Sequence, residues 1–284
     1  MNNKYLLHPN FSPIILHIGF VVINWYGLMY LISFFVAMLC GLRSPSNKEE
    51  YSQEEIKLLF YVGFIGLVIG GRIGYVFFYN LPIFLKNPEY LFQIWHGGMS
   101  FHGGLLGVII VIKWFAQKTN RSFLQISDFI APLIPFGLGA GRLANFINGE
   151  LWGRVTIHLP WAMIFPHSYY DDINFLKLHP EYQSIFKYWK ALPRHPSQLY
   201  EFFLEGVLLF IILNIYIYKQ RSIGRVSGLF LLIYGIMRFI VEFFRQPDIQ
   251  LGLFYNIISM GQILSIPMIL TGIVLYILPY KERI

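Results

Sequence analysis

The sequence predicts an all-α polytopic membrane protein with about seven transmembrane helices and a small mixed α/β head outside the membrane. Three observations support this class. The 284 residues are 56% hydrophobic and only 13% charged, whereas soluble domains have about 25% charged residues. Several apolar runs are about 20 residues long, which matches a hydrocarbon core of roughly 30 Å. One long polar connection interrupts these runs.

An apolar arm precedes the predicted spans. The arm, residues 1–22, contains Pro9 and Pro13, and we expect it to lie at the membrane interface. Residues 23–149 are expected to form helices 1–4, residues 150–198 the head, and residues 199–284 helices 5–7. The individual spans are residues 23–42, 56–79, 97–115, 127–147, 199–218, 228–244 and 257–278.

The connection 150–198 is too long and too polar to belong to a span. It holds two short β-type runs, residues 154–159 and 161–165, which Pro160 and Pro166 delimit. Residues 169–190 are polar and aromatic and show no informative pattern. We therefore interpret this connection as the mixed head.

Lysine and arginine are distributed unevenly between the two sets of connections. Most of them, including Arg43, Lys118 and Arg221, fall in one set, and such an excess marks the cytoplasmic side. The N-terminus and the head are then expected outside and the C-terminus inside. The net charge of +7 fits anionic lipid headgroups, and the sequence has no base-stacking module that would indicate nucleic acid.

The single cysteine, Cys40, lies inside an apolar run. It cannot form an intrachain disulfide, and no cluster of metal-ligating residues accompanies it. We expect a packed or lipid-facing thiol, and we expect neither a metal nor a cofactor.

Ionisable residues inside the spans are the main functional signal, because each costs about 2.5 kcal/mol or more at the helix centre. Arg72 lies among glycines that allow close helix packing, and it is either structural or functional. His102 lies between two Gly-Gly pairs. We expect these glycines to open space around the imidazole, which can accept a proton near neutral pH.

The densest polar motif is the segment 141–150. Arg142, Asn145 and Asn148 are spaced by three residues, which places them on roughly one helix face, and Gly149 is expected to end the helix before Glu150. A guanidinium beside two amides is rich in donors and suits an anion such as phosphate. The alternative is a buried polar network between helices.

A second helix repeats this pattern. Tyr234, Arg238 and Glu242 are spaced by four residues and share one face, and Arg245 follows near the outer end. An Arg238–Glu242 structural pair is the alternative. Glu201 and Glu205 have the same spacing, and we expect one of them to be a counter-ion for the arginines.

In the predicted topology Arg142, Arg238, Arg245 and His102 all fall in the outer half of the membrane. We therefore expect them to share one polar cavity that binds an anionic headgroup. An anion-binding cavity alone does not identify a reaction.

At these motifs the sequence resembles a known family. The segments 97–104, 141–150 with Trp152-Gly153, 194–201 and 234–248, together with Trp25-Tyr26-Gly27-Leu28, look like the bacterial phosphatidylglycerol–prolipoprotein diacylglyceryl transferases. Ala144 stands where many members have glycine, and residues 169–190 do not resemble the family pattern.

The resemblance implies a multi-pass enzyme of the bacterial inner (cytoplasmic) membrane, with a periplasmic N-terminus and head and a cytoplasmic C-terminus. It implies transfer of a diacylglyceryl group from phosphatidylglycerol to the lipobox cysteine of a preprolipoprotein. This first step of lipoprotein maturation forms a thioether and releases glycerol 1-phosphate. The implied partners are these two substrates and membrane lipid, without a cofactor, a metal or nucleic acid.

The implied chemistry assigns a role to each candidate residue. The thiol needs a base or a positive field, and the leaving phosphate needs cationic donors. We expect His102 to be the general base or to orient the thiol, and Arg142 and Arg238 to bind and polarise the phosphate. We expect Asn145 and Tyr26 to position the headgroup or glycerol, and Glu150 and Glu242 to fix the arginines. Tyr234 is expected to line the site, and Arg245 to join the substrate-binding set.

Two other functions fit part of the sequence. A transporter or flippase of an anionic lipid could use the same cavity, but it needs a polar path to the cytoplasmic side, where the spans are mostly Ile, Leu and Phe. A membrane scaffold leaves the arginines inside the spans unexplained.

Overall fold

The computed structural model of the chain describes residues 5–18, 21–44, 51–93, 97–219, 221–247, 252–254 and 257–278. Most of these residues are helical, and three small sheets accompany the helices. The α-helices are α1 (Trp25–Arg43), α2 (Gln53–Tyr79), α3 (Leu81–Lys86), α4 (Phe101–Lys118), α5 (Phe123–Ile130), α6 (Ile134–Asn148), α7 (Tyr169–Leu176), α8 (Gln183–Trp189), α9 (Ser197–Glu201), α10 (Leu209–Tyr216), α11 (Arg225–Val241) and α12 (Met260–Ile277).

Five described stretches are long and apolar enough to cross a membrane, by length and composition. They are Trp25–Arg43, Gln53–Tyr79, Phe123–Asn148, Ser197–Tyr216 and Met260–Ile277. The remaining predicted spans, residues 97–115 and 228–244, correspond to α4 and α11. Helix α4 carries a histidine and two lysines, and α11 has only 17 residues.

Local sequence signals set several helix ends. Ser52 and Glu55 form a capping box at the start of α2, and Ser259 and Gln262 form another at the start of α12. Gly149 follows α6 with φ of 63°, the left-handed conformation that glycine adopts without strain. The predicted end of this helix is confirmed.

Glycines let α2 and α4 pack backbone against backbone. A Cβ on Gly70 would lie 2.4 Å from the carbonyl oxygen of Gly103, and Gly104 packs on Leu67. The glycines that follow His102 therefore serve helix packing. The imidazole itself is exposed, and a Cβ on Gly97, in the pair that precedes it, would meet open space. The expectation that the glycines open space around His102 stays a prediction.

A π-helical segment, Phe202–Leu208, links α9 to α10. It crosses α6 at two facing glycines, and a Cβ on Gly206 would lie 2.6 Å from the Cα of Gly139. This close approach brings the polar face of α6 against the segment that carries Glu205.

The head contains a three-stranded sheet. Strand β1 (Leu6–Leu7) pairs in parallel with β4 (Met163–Ile164), which pairs antiparallel with β5 (Pro193–Arg194). The N-terminal arm thus contributes a strand to the head. Of the two predicted β-type runs, residues 161–165 contain β4, whereas residues 154–159 make a single bridge at Val155.

Two hairpins complete the secondary structure. The arm continues as an antiparallel hairpin of β2 (Ile14–Ile18) and β3 (Val21–Asn24), which leads directly into α1. Strands β6 (Leu253–Phe254) and β7 (Ile258–Ser259) form the second hairpin before α12.

Buried hydrophobic residues form three clusters. One lies between α2, α4 and α5 around Phe115 and Ile126, a second around Leu209 and Leu213, and a third inside the head. Cys40 packs against the first cluster and is a free thiol, as the sequence predicts.

Candidate functional site

Three helical elements bring arginines and glutamates together inside the bundle. Arg142 on α6 lies between the two carboxylates of the α9 and π-helical region. Its Nε is 3.2 Å from Oε2 of Glu201, and its Nη2 is 3.6 Å from Oε2 of Glu205. Its Nη1 makes no hydrogen bond or ion pair with the described residues, so one donor nitrogen remains available.

Arg238 on α11 closes the same group from the other side. It donates short hydrogen bonds to Glu201 and to Glu242, and its Nη1 is 3.6 Å from Oε1 of Glu205. Both glutamates that the sequence offered as counter-ions therefore contact arginines. The Arg238–Glu242 pair also forms, as part of a larger cluster.

Arg245 and Ser259 complete the cluster. Arg245 Nη1 is 3.6 Å from Oε1 of Glu242 and 3.8 Å from Oε1 of Glu201. Ser259 donates a 2.6 Å hydrogen bond to Oε2 of Glu242. We name Arg142, Arg238, Arg245, Glu201, Glu205 and Glu242 the arginine–glutamate cluster.

The cluster has a carboxylate side and an arginine side. The Glu201 and Glu205 side chains are fully buried, whereas those of Arg142, Arg238 and Arg245 are 19%, 12% and 13% exposed. The guanidinium groups thus lie between the glutamates and open space. This arrangement can present hydrogen-bond donors to an anion while the carboxylates hold the arginines in place.

A polar cavity of about 530 Å³ lies beside the end of α6. Asn145, which is buried, donates hydrogen bonds to the Tyr26 hydroxyl (2.8 Å) and to Oε1 of Glu150 (2.9 Å). The cavity is lined by Pro13, Asn24, Tyr26, Asn145, Asn148, Glu150 and Leu151. Such a lining can hydrogen-bond a neutral polyol or an amide.

The sequence is similar to those of one known protein family over most of its length. The family profile of the prolipoprotein diacylglyceryl transferases matches residues 13–278. The chain belongs to the prolipoprotein diacylglyceryl transferase family. Three relatives that carry the name phosphatidylglycerol–prolipoprotein diacylglyceryl transferase are similar over nearly their whole length. The protein of Sodalis glossinidius is 59% identical (100% of this chain, 98% of the relative), that of Yersinia enterocolitica 60% (99% and 98%), and that of Erwinia tasmaniensis 60% (100% and 97%).

In this member of the transferase family, Glu150 does not have the partner that the sequence suggested. It accepts hydrogen bonds from Asn145 and Asn148, and its backbone carbonyl accepts one of 2.7 Å from Gln198. The expectation that Glu150 fixes an arginine is wrong among the described contacts, because Gly149 ends α6 and turns Glu150 towards the amides. Glu242, by contrast, does hold two arginines.

Tyr234 and His102 are two further candidate residues, and they lie in different parts of the bundle. Tyr234 on α11 is half-buried, and its ring stacks on Phe230 with centroids 5.8 Å apart. His102 is exposed near the start of α4, in ring contact with Phe101. Helix α4 packs on α2 and α5, and no described contact joins His102 to the arginines. Its role in the transferase stays a prediction.

Arg72 has a structural environment. Its side chain is buried and donates to five backbone carbonyls, those of Tyr90, Leu91, Gln93, Gly97 and Gly98, at 2.5–3.3 Å. Its guanidinium also lies over the Tyr90 ring. These contacts fix the connection that leads into α4.

Sequence reasoning missed a buried ion pair that joins the head to the cluster. Arg194 donates to Oδ1 of Asp172 at 3.0 and 2.5 Å, and also to the carbonyl of Gly153. Gly153 forms a β-bridge with Arg245. Asp172 lies in the segment that gave no pattern, so only the unusual burial of a charged residue could have identified it.

Two histidines contact the C-terminal end of α6. The imidazole of His8 lies 2.6 Å from the Phe146 carbonyl, and that of His167 lies 3.1 Å from the Asn148 carbonyl. The amide of Asn10 donates to Nδ1 of His8, so Nε2 of His8 carries the proton. Burial and the nearby His167 lower the pKa of His8.

Proposed function

We propose that the chain transfers the diacylglyceryl group of phosphatidylglycerol to the cysteine thiol of a preprolipoprotein lipobox, the first step of bacterial lipoprotein maturation. The products are a thioether-linked lipoprotein precursor and glycerol 1-phosphate. The names of the full-length relatives support the substrates. The observation that carries the proposal is the arginine side of the cluster, which presents cationic donors within a membrane-embedded bundle.

The arginine side suits a reaction in which negative charge develops on phosphate. The thiolate attacks a glyceryl carbon, a C–S bond forms, and the C–O bond to phosphate breaks with its electron pair on oxygen. The phosphodiester carries one negative charge and the phosphomonoester carries two. Arg142, with Nη1 available, and Arg238 would stabilise this added charge, with Arg245 beside them.

The polar cavity suits the uncharged part of the lipid headgroup. The Tyr26 hydroxyl, the Asn145 amide and the Glu150 carboxylate form a connected set that would position the headgroup or its glycerol. Tyr234 would line the site from α11. No cofactor or metal enters this scheme.

The thiol needs a base, since only the thiolate is a good nucleophile. We propose that His102 accepts the proton or orients the peptide cysteine. Its exposed position at the start of α4 would make it reachable for a substrate that arrives from outside the bundle. A His102→Gln variant with near-normal turnover would leave the arginines as the source of thiol activation.

We also propose an orientation in the bacterial inner membrane with seven spans, in which α4 and α11 join the five long apolar stretches. The N-terminal arm and the head would be periplasmic, and the C-terminus cytoplasmic. The pairing of β1 with β4 supports this orientation, because two segments that share a sheet would have to lie on the same side of the membrane. The excess of lysine and arginine in the opposite connections supports it as well.

The transferase is tested with purified chain, phosphatidylglycerol vesicles and a lipobox peptide. Mass spectrometry should detect a peptide heavier by one diacylglyceryl group and an equal amount of glycerol 1-phosphate. Arg142→Ala and Arg238→Ala should each lower the rate by about 10²-fold or more. Arg121→Ala is the matched control, because it removes a partly exposed pair between the α4–α5 connection and Glu55 of α2.

Two results would contradict the proposal. Full activity of both arginine variants would remove the site assignment. Movement of labelled phosphatidylglycerol between leaflets without covalent transfer would indicate the flippase instead.

A further inference from the structure

Glu205 differs from the other two glutamates of the cluster in how its carboxylate contacts the arginines. Its side chain is fully buried, and neither carboxylate oxygen has a hydrogen-bond partner among the described residues. Each oxygen instead lies 3.6 Å from a different guanidinium, Oε2 from Arg142 and Oε1 from Arg238. The carboxylate therefore bridges two arginines through electrostatic attraction without a direct hydrogen bond.

The other two glutamates of the cluster are held more firmly. Glu201 accepts a hydrogen bond from Arg238, and Glu242 accepts one from Arg238 and one from Ser259. Hydrogen bonds to the ionised form favour that form. Of the three carboxylates, Glu205 is thus the one that loses least when it binds a proton.

The charges around Glu205 are nearly balanced without a substrate. Arg142 faces it from α6, Arg238 and Tyr234 face it from α11, and Glu201 lies one turn away on its own helix. With Arg245 and Glu242 the cluster has three arginines and three glutamates. Arg154, which donates to the carbonyls of Arg245 and Glu242, and Glu150, which accepts from Asn145 on α6, add one charge of each sign nearby, so the sum is unchanged.

A substrate changes this balance. A phosphodiester at the arginine side would add one negative charge, and a phosphomonoester would add two. Uncompensated charge in a buried site is costly, and sites commonly respond by a change of protonation. The least firmly held carboxylate is the group that can restore the balance.

We propose that Glu205 binds one proton when a phosphomonoester dianion occupies the arginine side, and releases it when the dianion leaves. This proposal rests on the proposed function. In the transfer, the S–H bond breaks with its proton passing to His102 or to water, the C–S bond forms, and the glyceryl C–O electron pair stays on the phosphate. The proton taken from the thiol returns to solvent, Glu205 takes up one proton from solvent, and it releases that proton when the product leaves. Glu205 acts through Arg142 and Arg238, as a positioning residue.

The experiment measures binding of glycerol 1-phosphate to the purified full chain between about pH 7 and pH 9. If binding is coupled to the uptake of one proton, the affinity for glycerol 1-phosphate falls about tenfold for each unit by which the pH rises. We expect this slope for the wild-type chain. In Glu205→Gln, binding should be retained and should change less than twofold per pH unit. Glu55→Gln, in the remote Arg121 pair, should keep the wild-type slope. The same slope in Glu205→Gln as in wild type, or a flat wild-type profile, would overturn the proposal.

Infrared difference spectra give a readout that does not depend on affinity. Binding to the wild-type chain should produce the carbonyl stretch of a carboxylic acid, and this band should be missing in Glu205→Gln. If that variant does not fold, Glu205→Asp should keep the proton coupling and shift the band, and an unshifted band would assign the proton to another residue. Failure of the proposed function is separate, because it would appear as absent transfer to the lipobox peptide.

Discussion

The contact between Gly139 and Gly206 should control the geometry of the cluster. A Cβ on Gly206 would lie 2.6 Å from the Cα of Gly139, whereas carbon atoms in contact are separated by about 3.5–4.0 Å. A Gly206→Ala substitution therefore requires α6 and the π-helical segment to move apart by ~1 Å. Because the facing atom belongs to backbone, no side-chain rotation can relieve the overlap.

This displacement would weaken two ion pairs of Arg142. Its distances to Glu201 and Glu205 are 3.2 and 3.6 Å, and an extra ~1 Å at an effective dielectric constant of about 20 reduces each attraction by about 1 kcal/mol. Misplacement by ~1 Å in an active site can cost about 10²-fold in rate. We therefore expect Gly206→Ala to lower kcat/KM for diacylglyceryl transfer by roughly 10- to 100-fold.

Gly137→Ala is the matched control, on α6, the helix that carries the facing Gly139. Its new Cβ would meet only the Cβ of Ser33, at 3.7 Å, an ordinary contact. Both variants should be purified from membranes, compared for thermal unfolding, and assayed with the lipobox peptide. If Gly206→Ala retained activity within twofold of Gly137→Ala, the inference that close packing positions Arg142 would be refuted.

Three further predictions concern the head, the arm and the connection before α4. Asp172→Asn leaves the buried Arg194 without its counter-ion, and the free energy of unfolding should fall by about 3–5 kcal/mol; an unchanged thermal midpoint in detergent would contradict this. The pKa of His8 is lowered in the folded chain, so as the pH falls the unfolded chain takes up this proton at a higher pH than the folded chain does. The stability of the fold should therefore be full above about pH 6.5 and fall as the pH drops below it. His8→Gln should remove that part of the pH dependence, and an identical slope would argue against it. Arg72→Lys has three donor hydrogens for five carbonyls, and stability should fall by about 1–3 kcal/mol, measured by thermal unfolding against Arg121→Lys.

Local spacing in the sequence predicted the parts of the site that lie on one helix. The three-residue spacing of Arg142 and Asn145 predicted a shared helix, and Gly149 predicted its end, because both depend on backbone geometry within a few residues. The spacing of Arg238 and Glu242 predicted their contact for the same reason.

Local spacing could not predict the contacts between segments that lie far apart in the sequence. The partners of Glu201 and Glu205 depend on where α6 and α11 cross the π-helical segment, and a π-helix has no distinct local sequence signal. Asp172 looked like an ordinary polar residue because its partner, Arg194, lies 22 residues further along the chain. The exposed position of His102 depends on the packing of α4 on α2, which the flanking glycines favour but whose rotation they do not fix.

The strand that the N-terminal arm contributes to the head has a consequence for biosynthesis. Tyr5 contacts the carbonyl of Ile157, 152 residues later, and β1 pairs with β4 in the same region. At a translation rate of about 5–20 residues per second, the arm waits roughly 8–30 s for its partner strand to be synthesised. During this interval β1 has no strand to pair with, so the arm cannot be fixed to the head until β4 has been synthesised.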